Sequence, residues 1–336
     1  MPTEAPGEAG AVKAVVVERL EGPDGLVIAE RPEPRPDGAV LIAVHAAGVS
    51  FPDLLLSRGQ YQIRREPPFV LGVEAAGTVV SAPPGSGLEP GQRVVASAWE
   101  SWAEAVVVPP DRVFPVPERL TLAQGVALLM NYHTAHFGLI RRGRLRAGET
   151  LLVHGAAGGV GSAAVELGKA AGATVIAVVS DQRKAAAVSR LGADHVVLAD
   201  AGWLEEVRRL SGGGVDVAFD PVTGDRFDDT VRALAVEGRL VVIGFAGGAI
   251  PRLAINRVLF RNIDVVGAAW GAFVDRHPDL PARTHAELVR LVEAGRLSPL
   301  VGAEFPLAQA ADALRLLEGR QAIGKVVLKV REEDRS

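Results

Sequence analysis

Short apolar runs broken by proline and glycine fill the first third of the chain: "AVVVERL", "AVLIAVHAAGV", "AAGTVVSA", "RVVASA" and "AEAVVVP". Runs of this length, rich in β-branched residues and bounded by turn formers, predict strands. From Val12 to roughly Arg119 the chain therefore predicts an all-β, barrel-like half, with one helical turn near "PDLLLSRG". The segment "LAQGVALLMNYHTAHFGLIRRG" has apolar residues at helical spacing and ends on Gly143, which predicts one or two helices. From Thr150 the rhythm becomes strand–helix alternation, with strands at 150–154, 174–179, 195–198, 215–219, 239–244 and 263–267. Strands this apolar, joined by helical crossovers, predict a parallel sheet covered on both faces. Helices around "HAELVRLVEAG" and "AQAADALRLLEG" follow, then a closing strand "KVVLKV" that could return to the first half and complete its barrel. "MPTEAPGEAG" and "REEDRS" read as loose tails.

The chemistry-bearing stretch is "LLVHGAAGGVG", four glycines within seven residues between an apolar run and a helical one. Fitted to the dinucleotide-binding fingerprint, Ala156, Gly158 and Gly161 take the three glycine positions, with Gly159 and Val160 between them. Gly158 would let the backbone approach a pyrophosphate seated on the helix N-terminus, and Gly161 would let helix and strand pack closely. A glycine pattern alone is weak evidence, but here it opens a full βαβ unit.

The end of the second strand bears on which nicotinamide cofactor is used. A site for NAD places a carboxylate there, about 20 residues beyond the glycines, to bond the ribose 2′-hydroxyl. Ser180 stands at that place, followed by Asp181, Arg183 and Lys184. A serine with nearby cations suits a 2′-phosphate, which a carboxylate would repel. NADPH is the reading, with Asp181 able to take the ribose if the strand ends one residue later.

The 336 residues are 48% hydrophobic, enough for two cored domains, and the net charge of −4 comes from interspersed acids and bases. That balance argues against nucleic acid or an anionic membrane as partner. The absence of cysteine excludes disulfides, thiolate chemistry and cysteine-bound zinc. With no secretory pattern and no apolar run of ~18 residues, the expectation is a cytoplasmic protein.

Together these segments resemble the medium-chain dehydrogenase/reductase superfamily, most closely its zinc-independent quinone oxidoreductase (zeta-crystallin-like) branch. The likeness rests on "AAGVSFPDLLLSRGQY", "LGVEAAGTVV", "PGQRV", "HTAHFGL", "LRAGETLLVHGAAGGVG", "LGADHVV", "EGRLVVIG" and "GKVVL", in the same order over nearly the full length. The resemblance implies an α/β chain: a GroES-like β-barrel catalytic domain (11–128 and 268–336) and a Rossmann domain with a doubly wound parallel sheet (129–267). Zinc alcohol dehydrogenases of the superfamily carry metal ligands where this chain has Ser50 and Val73, neither an ordinary zinc ligand. Without a Lewis acid to polarise a simple alcohol or ketone, the expected acceptor is already electrophilic, a quinone or activated enone. It is expected between the domains, over the nicotinamide.

By resemblance, Tyr61 lines the substrate site as an orienter or proton donor, and Ser50 contacts cofactor or substrate. Thr134 would contact the carboxamide, while Gly244, Phe245 and the segment from Ala268 to Trp270 would flank the nicotinamide. Each has a plainer reading: packing for Tyr61, a strand-end serine for Ser50, an N-cap for Asp53, a helix-interior threonine for Thr134. His133 and His136, without a nearby acidic ligand, read as packing or surface residues, and no metal is expected. The resemblance also implies a homodimer, although a covered monomer edge fits the sequence equally well. An enoyl-thioester reductase is the second enzymatic reading, with Arg58, Arg64 and Arg65 as candidate cations. A cofactor-binding sensor or structural protein with little turnover is a third.

Overall fold

The computed structural model describes residues 10–333; the outer parts of both expected tails, 1–9 and 334–336, lie outside them. Internal contacts divide the chain into two units. One comprises the residues up to 126, 304–321 and those from 326; the other comprises 127–303 and 322–325.

The first unit is built on Val40–Val49, a ten-residue apolar strand. It pairs antiparallel with Glu74–Ser81 on one side and with Ala105–Val108 and residues 326–329 on the other. Arg93–Ser97 and Val113–Pro115 extend the sheet. The closing strand thus does return to the first sheet, Val326 opposite Val49. Trp102 is fully buried, and its indole N–H donates to the Gly48 carbonyl at 2.8 Å, satisfying the ring's one polar atom.

The second unit is a six-stranded parallel sheet in the order His195–Leu198, Thr174–Val179, Thr150–Val153, Val215–Asp220, Leu234–Val242, Asp264–Gly267. Side-chain alternation splits the apolar residues of each strand between two faces. Leu152, Ile176, Ala218 and Leu240 meet Trp203, Val207, Phe227 and Val231 on one face. On the other, Gly168 of the helix Gly159–Ala170 fits against Leu151 and Val175. Each of these large side chains contributes roughly 1.5–3 kcal/mol through burial. This two-faced burial is why the strands read as continuous apolar runs.

Three expectations change. The strand expected at 239–244 runs Leu234–Val242, with Glu237 at φ 62° and an irregular register against Val215–Asp220, so "VEG" is a kink inside it. The segment between Leu122 and Arg142 is one helical run that twice widens to π geometry, at Leu128–Tyr132 and Phe137–Arg142. Residues 268–303, expected with the barrel, group with the parallel-sheet unit. The physical reason is the helix Leu280–Glu293, whose buried His285 meets buried His133 of that run.

Candidate functional site

The parallel sheet changes winding direction at Thr150–Val153, its first strand in sequence, and ligands of such sheets lie outside the C-terminal strand ends at that point. The glycine loop follows directly. A Cβ on Gly161 would collide with the Gly155 carbonyl, so only glycine lets the helix sit this close. A Cβ on Gly159 would lie 2.6 Å from the buried Asn131 amide, so the π-helical stretch backs the loop from behind. Gly158, the N-cap, has open space instead, with the Gly155 oxygen 3.4 Å from where a Cβ would stand. Ala156 is buried, its N–H donating to Val178, and Val160 is half-buried. Gly324 donates to the Ala157 carbonyl at 2.7 Å and braces the loop from late in the chain. The loop thus leaves room for a ligand group at Gly158, while Gly159 and Gly161 admit no side chain.

The second strand ends at Val179, which puts Ser180 at the position expected for the ribose contact. Lys184 reaches back so that its ammonium donates to Ser180 Oγ at 2.8 Å, while Ser180 Oγ donates to Asp181 at 2.9 Å. Asp181 is the N-cap of Gln182–Arg190, accepting the Lys184 N–H at 3.0 Å. That bond, the serine hydroxyl and the nearby cations hold its carboxyl below the usual range. Its lone pairs are thus engaged with the helix start and Ser180, and a cation and a hydroxyl stand together where a 2′-phosphate would lie.

On the other side of the glycine loop, Gly244 and exposed Phe245 leave the strand Leu234–Val242, and the Thr223 hydroxyl lies 3.3 Å from the Gly244 carbonyl. Ala268 is buried, its N–H on Val242. Trp270 starts a short helix and packs its ring on His133 and Phe137, both 5.5 Å away between ring centres. Thr134 is half-buried in the α-helical turn between the two π stretches. The two histidines part company: His133 faces His285 at 3.3 Å, and His136 meets Glu287 at 3.0 Å, an acidic neighbour the sequence did not disclose. Burial lowers both histidines, His133 the more strongly.

In the first unit, Ser50 and Asp53 form one structure. Ser50 N–H and Oγ both reach Asp53 Oδ2, at 2.8 and 2.5 Å, closing the start of the helix Phe51–Ser57. The cap is Ser50, with Asp53 its reciprocal partner, which corrects the expectation that Asp53 is the N-cap. Tyr61 is half-buried, and desolvation followed by the nearby Asp53 charge pushes its phenol up from 10.0. Arg58 is paired with Glu318, and Arg65 with Glu100 at 2.5 Å.

Sequence reasoning missed Glu166, buried within the nucleotide-loop helix. Its carboxyl bonds the Tyr132 hydroxyl and accepts from Ser298 N–H at 3.1 Å. Burial pushes it up to about 7 against those two hydrogen bonds.

Residues 36–118 match the alcohol dehydrogenase GroES-like domain, and residues 159–289 match the zinc-binding dehydrogenase family. A bovine quinone oxidoreductase-like protein 2 is 34% identical over 95% of this chain and 93% of its own. A probable oxidoreductase from Mycobacterium abscessus is 45% identical with a TM-score of 0.88, covering 96% of this chain and all (100%) of its own. A mycobacterial protein solved in complex with NADPH is 33% identical, with TM-score 0.88, over 95% of this chain and 100% of its own. With the glycine cradle and barrel in the same order, the chain belongs to the medium-chain dehydrogenase/reductase superfamily, in its quinone oxidoreductase branch, and is an oxidoreductase.

Proposed function

We propose that the protein is an NADPH-dependent reductase of quinones or other activated enones that works without zinc. The observation that carries the cofactor assignment is the Lys184–Ser180 pair immediately beyond Val179. The NADPH-bound neighbour and the quinone oxidoreductase-like relative support the same reading. The nicotinamide supplies the hydride when bound. The chain's residues bind and orient: Gly158 opens the diphosphate seat, and Ser180 and Lys184 hold the 2′-phosphate. Zinc independence rests on the donor set. Ser50 is committed to Asp53, Val73 has no donor atom, and the chain has no cysteine. Tyr61, with its phenol pushed up, stays protonated at neutral pH and serves as a hydrogen-bond donor that orients an acceptor carbonyl.

The enoyl-thioester reading loses two of its candidate cations, since Arg58 and Arg65 already face glutamates. A homodimer through the sheet edge is part of the proposal. Asp264–Gly267 is the end strand; its Val265 is exposed, as are Ile255, Leu259 and Phe260 shortly before it in the chain, Phe260 by 78%. Phe260→Asp should then shift the light-scattering mass from dimer to monomer.

The test is loss of NADPH and NADH absorbance with 1,4-benzoquinone, 9,10-phenanthrenequinone and crotonyl-CoA as separate acceptors. Rapid NADPH loss with a quinone is expected. Turnover with crotonyl-CoA alone would transfer the assignment to enoyl reduction. Tight NADPH binding without turnover of any acceptor would mean a sensor or structural protein.

A further inference from the structure

A dinucleotide held with its diphosphate after the first strand and its 2′-phosphate beside the second must extend its other half the opposite way. The strand order puts the ends of Val215–Asp220 and Leu234–Val242 there. Asp220 is the last residue of the first of these and is 1% exposed. Its Oδ1 accepts from Val222 N–H at 2.9 Å and Thr223 N–H at 2.7 Å, so one carboxylate oxygen folds the loop back on itself.

That loop is held against its preference. Thr223 has φ 52°, a left-handed conformation that a β-branched residue keeps only where its surroundings over-determine it. The folded loop then serves as template for the next. Ala246 N–H donates to Pro221 and Gly247 N–H to Val222, at 3.1 and 2.8 Å, while the Thr223 hydroxyl donates to the Val222 carbonyl of its own loop at 2.7 Å, with the Gly244 carbonyl 3.3 Å away. A Cβ on Gly247 would stand 2.7 Å from the Val222 carbonyl, so the two backbones are in direct contact. Val222 also abuts the glycine loop, 2.9 Å from where a Gly155 Cβ would lie. His154, one residue ahead of that loop, faces the same carboxylate electrostatically and packs its Nε2 on Thr230 at 3.0 Å.

We propose that Asp220 is a positioning residue that shapes the two loops receiving the nicotinamide end of the cofactor and leaves the adenylate end untouched. The proposal rests on the NADPH reading above, and its test separates the two.

The probes are NADPH and 2′,5′-ADP, the latter carrying the 2′-phosphate and no nicotinamide, titrated calorimetrically into wild type, Asp220→Ala and Asp220→Asn, with quinone turnover measured alongside. Asp220→Ala should weaken NADPH and lower kcat/KM for the quinone by roughly 10–100-fold, the cost of a lost charged acceptor with two donors. Its 2′,5′-ADP affinity should stay within about twofold. Asp220→Asn keeps an acceptor oxygen for both N–H groups and should recover most of the loss. Should Asp220→Ala fail to fold, Gly247→Ala, which drives a methyl against the Val222 carbonyl and parts the two loops, must show the same selective loss. Equal weakening of NADPH and 2′,5′-ADP, or unchanged turnover, overturns the positioning role while the NADPH reading stands. A wild type that binds neither probe overturns both.

Discussion

Replacing Glu166 with glutamine should remove a pH dependence of stability that the wild-type protein carries across the neutral range. The carboxyl lies between Tyr132 and Ser298 with 7% of the residue exposed, and burial pushes it from 4.5 to about 7. Between those values the folded protein keeps a proton that the unfolded chain has released, so stability falls as pH rises, by about 1.4 kcal/mol per pH unit. The contribution is intact below the unfolded value and lost once the pH has risen through the folded one. The full difference corresponds to about 3 kcal/mol. Glutamine imitates the protonated acid, with its oxygen accepting from Ser298 and its amide donating to the tyrosine oxygen. Wild type and Glu166→Gln should therefore match near pH 5 and separate by pH 8. At ~2–4 °C per kcal/mol for a unit of this size, the variant should melt roughly 6–12 °C higher there. Tyr132→Phe removes a hydrogen bond that lowers the carboxyl, so its transition should move to higher pH. Thermal unfolding in half-unit pH steps reads both. Wild-type and Glu166→Gln curves that run parallel from pH 5 to 8 would refute the argument.

Lys184→Ala should raise the KM for NADPH by roughly 10–100-fold and leave that for NADH within about twofold, because the lost ammonium acts on the 2′-phosphate alone; equal losses in initial-rate assays would place the lysine elsewhere. Gly158→Ala should keep its melting temperature, to within about 1 kcal/mol of stability, yet weaken NADPH at least ~10-fold in fluorescence titration, since the methyl enters the diphosphate seat. Gly161→Ala, which drives a methyl into the Gly155 carbonyl, should instead lower stability itself, by about 1–3 kcal/mol in denaturant titration. Ser50→Ala breaks the reciprocal cap with Asp53 and should cost about 1 kcal/mol of stability, with turnover retained because the hydroxyl is already engaged within the helix start.

Strands buried on both faces announce themselves by composition, and Thr174–Val179 is read from its apolar run to the residue. That accuracy is what makes Ser180 a usable position, since an offset of one would have exchanged it for Asp181. The glycine loop is equally plain because its glycines have steric reasons that survive in any context. Glu166 is different. A glutamate in a helix carries no mark of burial, which here comes from Tyr132 in a π stretch and Ser298 far along the chain. Periodicity cannot reveal the π stretches either, as they add a residue per turn without changing which residues are apolar. The helix Leu280–Glu293 shows an apolar face in sequence, but nothing in that face names the helical run it packs on, hence the misplaced segment 268–303. Asp220 left a trace: an acid closing an apolar strand just before "PVTG".

The pairing of residue 49 with residue 326 has a consequence during synthesis. Through all the intervening chain, the Ala46–Val49 stretch of that strand's edge has no partner, Ala105–Val108 covering only its Val40–Ala43 end. At ~5–20 residues per second, that edge waits roughly 15–60 s on the ribosome. The brace that Gly324 gives the glycine loop arrives at the same late moment. A nascent chain stalled before residue 320 therefore carries both an open strand edge and an unbraced cofactor loop, and such chains should be the form that chaperones and proteases engage.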